Sequence, residues 1–213
     1  MTKYKHIIWD WNGTLMDDVW LCVDVINSLL KAHSINPVAV EDYRQHFEFP
    51  VIRFYKTLGF DLETTSFEAV SHAFISHYDQ RRHECQLHPQ AETILRSITA
   101  AGITQSILSA YTQEKLTTVV CHFGIDHYFN TVVGLDNIYA AGKLEQGKLH
   151  ITQLDCLPSE VLLIGDTLHD YEVASEIGAD CILVSHGHND HQRLLKCPVP
   201  VIEDFSAISS LLL

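Results

Sequence analysis

The chain is poor in cations. Its 213 residues include 14 lysines and arginines against 27 aspartates and glutamates, which gives a formal net charge of −13. A surface of this sign repels nucleic acids and anionic lipids, so we expect neither as a main partner. It also repels a phosphorylated small molecule, so a phosphate site here needs local cations, either a metal ion or well-placed lysines.

Long apolar runs and paired cysteines are also lacking. No apolar stretch approaches the roughly 20 residues of a membrane-spanning helix, and the N-terminal lysines lead straight into a short apolar segment rather than a signal region. The six cysteines are widely spaced, without a C-x-x-C pair, which favours small core residues in a reducing compartment. We therefore expect a cytoplasmic protein.

Short apolar segments typical of buried strands alternate with helix-length segments along most of the chain. The predicted strands are Tyr4–Trp9, Ile103–Leu108, Thr131–Gly134, Val161–Ile164, Cys181–Val184 and Val199–Ile202. The predicted helices are Ala91–Ala100, Gln113–Phe123, Leu144–Leu154, Tyr171–Ile177 and Asp204–Leu212. This alternation predicts an α/β fold with a Rossmann-like doubly wound parallel sheet.

Residues 17–84 interrupt the alternation. They show no convincing strand, and apolar residues recur at helical spacing from Val19 to Leu30 and again from Phe67 to Ile75. A helical block inserted directly after the first strand lies above the carboxyl edge of the sheet, where a lid belongs. We predict a helical cap domain at residues 17–84 and a core formed by residues 1–16 and 85–213.

The first predicted strand runs into Asp10-Trp11-Asn12-Gly13-Thr14. This places a carboxylate at the carboxyl end of a strand, where open α/β sheets bind ligands. The Asn-Gly turn leaves backbone N–H groups and the Thr14 hydroxyl group available to an anion. The arrangement is typical of an aspartate that attacks phosphorus.

A second aspartate, Asp166, follows another apolar strand, and Asp170 comes four residues later. Two strand-end aspartates on neighbouring strands can share a divalent cation, and hard oxygen ligands suit Mg²⁺. Alone, this G-D-x-x-x-D pattern is weak, because aspartate often caps helices. Together with Asp10 in an alternating α/β chain, it indicates a metal site.

Two further features suit a phosphate. Ser109 and Ala110 follow the second strand of the sheet, and Ser109 can donate a hydrogen bond to a phosphate oxygen, although a plain turn serine is the alternative. A lysine before the helix that leads to Asp166 can neutralise a phosphoryl group. Lys143 and Lys148 are the two candidates.

In this order, the motifs resemble the haloacid dehalogenase superfamily of aspartate-nucleophile phosphohydrolases over essentially the whole chain. The insertion is similar to the small helical cap of the phosphoglycolate phosphatase and β-phosphoglucomutase branch. The resemblance implies a phosphoric monoester hydrolase in which Asp10 forms an aspartyl-phosphate. It implies Mg²⁺ binding by Asp10, by Asp166 and through the backbone carbonyl of Asn12.

The resemblance also assigns phosphate contacts to Thr14, Ser109, Ala110 and Lys143, with Asp170 supporting the metal or the lysine. Lys143 is preferred to Lys148 because the family's lysine precedes the helix. In the cap, Phe49 and Arg53 follow the position of the family's specificity loop, and Arg53 can hold a substrate carboxylate or a second phosphate. Phosphoglycolate is the substrate that the resemblance suggests.

The chain departs from the family pattern at Asn12. Family phosphatases usually carry an aspartate there as general acid and base, a role worth about 10²–10⁴-fold in rate that an amide cannot fill. Three explanations stay open. The substrate has a good leaving group, such as an acyl or aryl phosphate. Another side chain, with Glu48, His46 and His169 as candidates, supplies the proton. Or the protein binds a phosphorylated ligand, as a regulator, with little turnover.

A phosphonatase-type hydrolase is a further alternative, and it needs a Schiff-base lysine from the cap. The cap contains only Lys31 and Lys56. A dehalogenase is weaker still, because it has no use for the acidic metal motif. The sequence leaves the oligomeric state open.

Overall fold

A computed structural model describes residues 3–63, 65–140 and 142–208 of the chain. The strands are β1 His6–Trp9, β2 Met16–Asp17, β3 Gln86–Leu87, β4 Thr104–Thr112, β5 Thr131–Leu135, β6 Val161–Gly165, β7 Asp180–Val184 and β8 Val201–Ile202. The α-helices are α1 Val19–Ala32, α2 Val40–His46, α3 Val51–Thr57, α4 Phe67–Arg81, α5 Ala91–Ala100, α6 Gln113–His122, α7 Leu144–Ile151, α8 Leu168–Ile177 and α9 His191–Leu194. Short 3₁₀ helices span Arg82–Glu84, Asp126–Tyr128 and Pro158–Glu160.

Six strands form one parallel sheet in the order β5-β4-β1-β6-β7-β8. The central strand β1 is completely buried at Ile7, Ile8 and Trp9, as expected for a strand covered by helices on both faces. From β1 the chain winds first to β4 and β5 on one side and then to β6, β7 and β8 on the other. The carboxyl ends of β4, β1 and β6 therefore meet at a topological switch point, where sheets of this kind bind ligands.

All six predicted core strands are present, so the predicted α/β fold is confirmed, with shifts at the ends of elements. The largest shift is in β4, which continues to Thr112 instead of ending at Leu108. It pairs with β1 only up to Ile107, and its register against β5 shifts between Leu108 and Thr112. Ser109 and Ala110 therefore lie within an irregular stretch of β4 and not after the strand.

A small antiparallel sheet of β2 and β3 was not predicted. It pairs Met16 with Leu87 and Asp17 with Gln86, at the two points where the chain enters and leaves the helical segment. Among the described residues of the segment 17–84, for which no convincing strand was expected, Asp17 alone lies in a strand. Strands β2 and β3 were missed because strands of two residues are too short to show periodicity. The helical segment contributes Tyr43 to the same apolar cluster as Trp9 of the sheet, and the boundaries of a separate cap remain a prediction.

Other differences are local. Helix α8 begins three residues before the predicted Tyr171, because Thr167 and Asp170 form a capping box at its start. Helix α9 was missed, and the predicted helix Asp204–Leu212 lies partly outside the described residues. Among the cysteines, Cys121 is exposed, contrary to the expectation of core positions. Within the described ranges, no helix is both long and apolar enough to cross a membrane.

Candidate active site

Asp10 follows β1 directly and is almost fully buried, with 8% of its surface exposed. One of its oxygens, Oδ1, contacts the ammonium group of Lys143, and Oδ2 lies 3.4 Å from the Thr14 hydroxyl group. Burial raises the pKa of Asp10, Lys143 opposes that shift, and the nearby Asp170 and Asp166 carboxylates add to it. The net effect is a raised pKa, so a further cation beside Asp10 would stabilise its charged form.

Lys143 precedes α7 and is 2% exposed. Its Nζ contacts Asp10, lies 2.7 Å from Oδ1 of Asp170 and donates a hydrogen bond of 2.8 Å to the carbonyl of Leu108. Burial disfavours the ammonium form, but the two carboxylates outweigh it and raise the pKa of Lys143. Lys148 instead lies within α7 and pairs with Glu145 at the surface, so the structure brings Lys143, and not Lys148, to Asp10.

Asp170 is held as an anion at the start of α8. Its Oδ2 accepts hydrogen bonds from the backbone N–H of Asp166 at 3.2 Å and from the N–H and hydroxyl groups of Thr167 at 2.9 and 2.6 Å. Burial opposes its charge, but Lys143 and the Thr167 hydroxyl group outweigh that effect and lower the pKa of Asp170. With its oxygens already occupied, Asp170 is suited to positioning Lys143.

Asp166 follows β6 and is completely buried. Its carboxylate accepts hydrogen bonds from the Thr14 hydroxyl group at 2.8 Å and from the backbone N–H of His188 at 2.5 Å. Burial, together with Asp170, raises the pKa of Asp166 against the opposing effect of His188. A side chain at Gly13, where φ is +73°, or at Gly187 would overlap this carboxylate. Both glycines are therefore needed for the backbone to approach Asp166 so closely.

Thr14 is placed differently from its predicted role. It is completely buried, its hydroxyl group points to Asp166, and it is not among the residues that line the cavity in front of Asp10. In this geometry Thr14 orients a carboxylate, and a phosphate contact from its side chain is left as a prediction.

The side chain of Asn12 is fixed by a network that sequence analysis missed. Its amide donates hydrogen bonds to Oδ2 of Asp18 at 2.7 Å and to the hydroxyl group of Tyr78 at 2.8 Å. Tyr78 in turn donates to Oδ2 of Asp18 at 2.7 Å, and Oδ1 of Asp18 accepts from the backbone N–H of Gly13 at 2.8 Å. Asp18 immediately precedes α1 and Tyr78 belongs to α4, so the helical segment determines the position of Asn12.

His188 also joins the site without having been predicted. Its Nε2 lies 3.3 Å from Oδ1 of Asp18, and its Nδ1 lies 2.9 Å from the hydroxyl group of Tyr43. Burial disfavours the imidazolium form, but Asp18, Asp166 and Asp10 outweigh it and raise the pKa of His188. The available signal was its position in the polar run after β7, since polar residues that follow neighbouring parallel strands reach the same edge of a sheet.

A cavity of about 140 Å³ opens in front of Asp10, between the sheet edge and the helical segment. Ser109 and Ala110, for which phosphate contacts were predicted, both line it. The Ser109 oxygen accepts a hydrogen bond of 3.1 Å from the backbone N–H of Tyr111, which leaves its own proton free for a ligand. Nine phenylalanine and tyrosine side chains belong to the remaining wall: Tyr43, Phe47, Phe49, Phe54, Tyr55, Phe74, Tyr78, Tyr111 and Tyr139.

The predicted substrate residues of the cap separate in the structure. Phe49 lines the cavity, but Arg53 is exposed and lines a different surface depression. Among the proposed proton donors, His169 lines the cavity, and its Nε2 lies 3.0 Å from the backbone N–H of Lys143. His46 is exposed with its Nδ1 2.7 Å from the carbonyl of Asp42, and Glu48 is not among the described lining residues.

The charges of the site suit a divalent cation. Ligand oxygens of Asp10, Asp166 and Asp170 lie within 4.8 Å of one another. With the neighbouring Asp18, the four carboxylates face two cationic side chains, Lys143 and His188, within the part of the site that the structure describes. The imbalance of two negative charges, in a buried set of oxygen ligands, is what a hard divalent ion would neutralise.

Known proteins share this sequence pattern and fold. The model of the haloacid dehalogenase-like hydrolase family matches residues 7–184. A phosphoglycolate phosphatase of Psychrobacter arcticus is 22% identical over 97% of this chain and 95% of that protein.

Two solved structures also resemble the chain. A protein of Haemophilus somnus described as a predicted phosphoglycolate phosphatase covers 99% of both chains with a TM-score of 0.81 and 20% identity. CbbY of Rhodobacter sphaeroides in complex with phosphate covers 98% of this chain and 96% of that chain, with a TM-score of 0.75 and 18% identity. At these identities the structures support the fold alone.

The chain belongs to the haloacid dehalogenase-like hydrolase family, because the family model covers most of its length. The predicted membership of this superfamily and the resemblance to its phosphoglycolate phosphatase branch are thereby confirmed, as is the prediction of an enzyme of this family.

Proposed function

We propose that the protein is a Mg²⁺-dependent phosphoric monoester hydrolase that acts on a small phosphorylated compound through an aspartyl-phosphate. The observation that carries the proposal is the convergence of Asp10, Lys143 and Ser109 on one buried cavity beside Asp166. The names of the phosphoglycolate phosphatase relatives and the phosphate complex of CbbY support it.

In this mechanism an oxygen of Asp10 attacks the phosphorus atom, the bond from phosphorus to the ester oxygen breaks, and the leaving group departs. Water then attacks the phosphorus of the aspartyl-phosphate, which releases inorganic phosphate and regenerates Asp10. Lys143 neutralises charge on the phosphoryl group, and the hydroxyl group of Ser109 donates to one of its oxygens. Asp170 holds Lys143 in place.

Asp10, Asp166 and the backbone carbonyl of Asn12 would hold the Mg²⁺ ion. When bound, the ion neutralises phosphate charge and so reduces the repulsion between two anions. Thr14 and the backbone N–H of His188 orient Asp166 for this purpose through their hydrogen bonds. The surrounding helical segment encloses the cavity and limits the access of water.

Two other functions are less well supported. A phosphonatase needs a cap lysine at the phosphate, but Lys31 and Lys56 are both exposed and neither lines the described cavity. A phosphate-binding or regulatory protein that turns over slowly is consistent with Asn12 and remains the alternative. If phosphoglycolate were the substrate, its carboxylate would not contact Arg53, because Arg53 lies outside the cavity.

The test is the hydrolysis of acetyl phosphate and p-nitrophenyl phosphate, with and without Mg²⁺, by wild type and Asp10→Asn. We expect Mg²⁺-dependent release of phosphate that Asp10→Asn abolishes. Wild-type protein that binds inorganic phosphate but hydrolyses neither compound would support the binding protein instead.

A further inference from the structure

We propose that the substrate of this site is a phosphate monoester of a small, single-ring aromatic alcohol, an aryl phosphate. The inference rests on the proposed hydrolase function and narrows it to a substrate class. Two separate features of the structure lead to it: the wall of the cavity, and the arrangement around Asn12.

The cavity wall favours an uncharged aromatic group. Nine aromatic side chains line it, among them Phe49, Phe54 and Phe74. Lys143 and His188 are the cationic side chains among the described lining residues, and both already face carboxylates: Lys143 faces Asp10 and Asp170, and His188 faces Asp18. A substrate with a carboxylate beyond its phosphate would bury that charge without a partner, which is costly.

Three of the five tyrosines of the wall offer the substrate their rings rather than their hydroxyl groups. The hydroxyl group of Tyr43 lies 2.9 Å from Nδ1 of His188, that of Tyr78 donates to Asp18 at 2.7 Å, and that of Tyr111 donates to Asp79. Their polar ends are thus engaged within the protein. Offset or edge-to-face contacts with a substrate ring are what such a wall offers.

The size of the cavity limits the ring. At about 140 Å³, it is comparable with an engineered apolar cavity of roughly 150 Å³ that binds benzene. The same cavity, lined also by Asp10, Ser109 and Lys143, must hold the phosphoryl group, so a single ring is the upper limit for the group that the phosphate carries.

The surroundings of Asn12 point independently to an aryl leaving group. The Asn12 amide cannot donate a proton to a departing alkoxide and recover it. His188 has Tyr43 and Asp18 as partners of its two ring nitrogens, and the Nε2 of His169 faces the backbone N–H of Lys143. A phenol, with a pKa near that of tyrosine at about 10, leaves as an anion far more readily than an aliphatic alcohol, whose pKa is several units higher.

The chemical balance needs only water. The attack of Asp10 breaks the bond between phosphorus and the aryl oxygen, and the electron pair of that bond leaves with the aryl oxide. The aryl oxide takes a proton from solvent. Hydrolysis of the aspartyl-phosphate by a water molecule then releases inorganic phosphate and regenerates the Asp10 carboxylate, so the phenol from the first step and the phosphate from the second are the final products.

The experiment separates ring binding from leaving-group ability by means of five substrates at equal Mg²⁺. Phenyl phosphate has the ring and a good leaving group, benzyl phosphate has the ring with a poor one, and cyclohexyl phosphate has neither aromatic character nor a good leaving group. Acetyl phosphate has a good leaving group without a ring, and 2-phosphoglycolate adds a carboxylate. We expect kcat/KM for phenyl phosphate to exceed those for benzyl phosphate and 2-phosphoglycolate by about 100-fold or more.

A matched pair of variants tests the wall. Phe74→Leu, which alters a lining residue, should lower kcat/KM for phenyl phosphate more than that for acetyl phosphate. Phe129→Leu, which alters a partly buried phenylalanine outside the cavity, should leave the ratio of the two unchanged. Equal effects of the two variants, or kcat/KM for 2-phosphoglycolate equal to or above that for phenyl phosphate, would overturn the inference.

A binding measurement keeps the two proposals distinguishable. Phenylphosphonate should raise the melting temperature of the wild-type protein more than methylphosphonate does at the same concentration, whether or not the protein hydrolyses esters. If acetyl phosphate is not hydrolysed but phenylphosphonate binds preferentially, the proposed hydrolase function fails and the aromatic specificity of the site stands. If methylphosphonate stabilises the protein equally well, the aromatic specificity fails.

Discussion

The side-chain amide of Asn12 donates a hydrogen bond of 2.7 Å to the carboxylate of Asp18, whose charge is also balanced by His188. Burial raises the pKa of Asp18, but His188 and the hydrogen bonds from Asn12 and Tyr78 outweigh it and lower that pKa. An amide at position 12 therefore matches an anion at position 18. The absence of a general acid at position 12 is therefore linked to the buried ion pair of Asp18 and His188.

The first prediction concerns Asn12→Asp. The substitution places a carboxylate against Asp18, so we expect a loss of about 1–3 kcal/mol in the free energy of unfolding at pH 7.5. The introduced carboxyl group has a raised pKa in the folded protein, so the loss is absent below the ordinary aspartate pKa of about 3.9, grows as the pH rises toward the raised value and is complete above it. Urea denaturation at pH 5 and pH 7.5 measures it.

The control for this substitution is Asn137→Asp, which changes an exposed asparagine whose Oδ1 accepts a hydrogen bond from Tyr139. A carboxylate can accept the same bond, so we expect a change within about 0.5 kcal/mol. Equal stabilities of the two variants at pH 7.5 would contradict the proposed balance between Asn12 and Asp18.

The second prediction concerns Tyr78→Phe, which removes the hydroxyl group that links α4 to Asn12 and Asp18. Both partners are left short of a hydrogen bond in a buried place, so we expect a destabilisation of about 1–3 kcal/mol. Thermal and urea unfolding measure the effect. Tyr128→Phe is the matched control, because the hydroxyl group of Tyr128 contacts the exposed side chains of Glu92 and Arg96. Equal losses in the two variants would argue against the link.

The third prediction compares Lys143→Met with Lys148→Met. Removing the Lys143 ammonium leaves Asp10 and Asp170 without their shared cation, so hydrolysis of acetyl phosphate should fall by about 10²–10³-fold. Lys148 pairs with Glu145 at the surface, so its variant should retain wild-type rates. Circular dichroism checks that both variants are folded, and full activity of folded Lys143→Met would refute the role given to this lysine.

The fourth prediction concerns the stability of the protein in mild acid. Burial and His150 lower the pKa of His6 to about 4, against about 6.5 in an unfolded chain. Between these values the unfolded chain binds a proton that the folded protein does not, so the stabilising effect present above pH 6.5 is lost as the pH falls toward 4. The loss from His6 alone is about 3 kcal/mol.

The measurement is the free energy of unfolding from pH 7 to pH 4.5 for wild type and His6→Gln. Glutamine can bond to Thr104 and Ser106, which now contact the His6 ring, but it does not titrate. We expect a shallower pH dependence in His6→Gln than in the wild type. Parallel curves for wild type and His6→Gln would show that His6 does not titrate as described.

Much of the fold followed from local sequence. The strands of the parallel sheet are continuous apolar runs, since helices cover both faces, and such runs are visible without knowledge of the partners. Strand-end aspartates at Asp10 and Asp166 were likewise visible, because the carboxyl ends of neighbouring strands share one edge. The small sheet of β2 and β3 was not visible, because each strand has only two residues and depends on its partner.

The site was only partly predictable from the sequence, and there is a physical reason why some of its residues could be predicted and others could not. The sequence by itself determined which residues end the strands, and hence that Asp10, Ser109 and Asp166 would gather at the switch point. Only the tertiary structure decided which side chains from distant segments complete the site. It excluded Arg53 from the cavity, turned Thr14 toward Asp166 and brought in Asp18, Tyr78 and His188. Those contacts depend on how the helical segment packs against the sheet edge, and neither spacing nor periodicity along the chain encodes them.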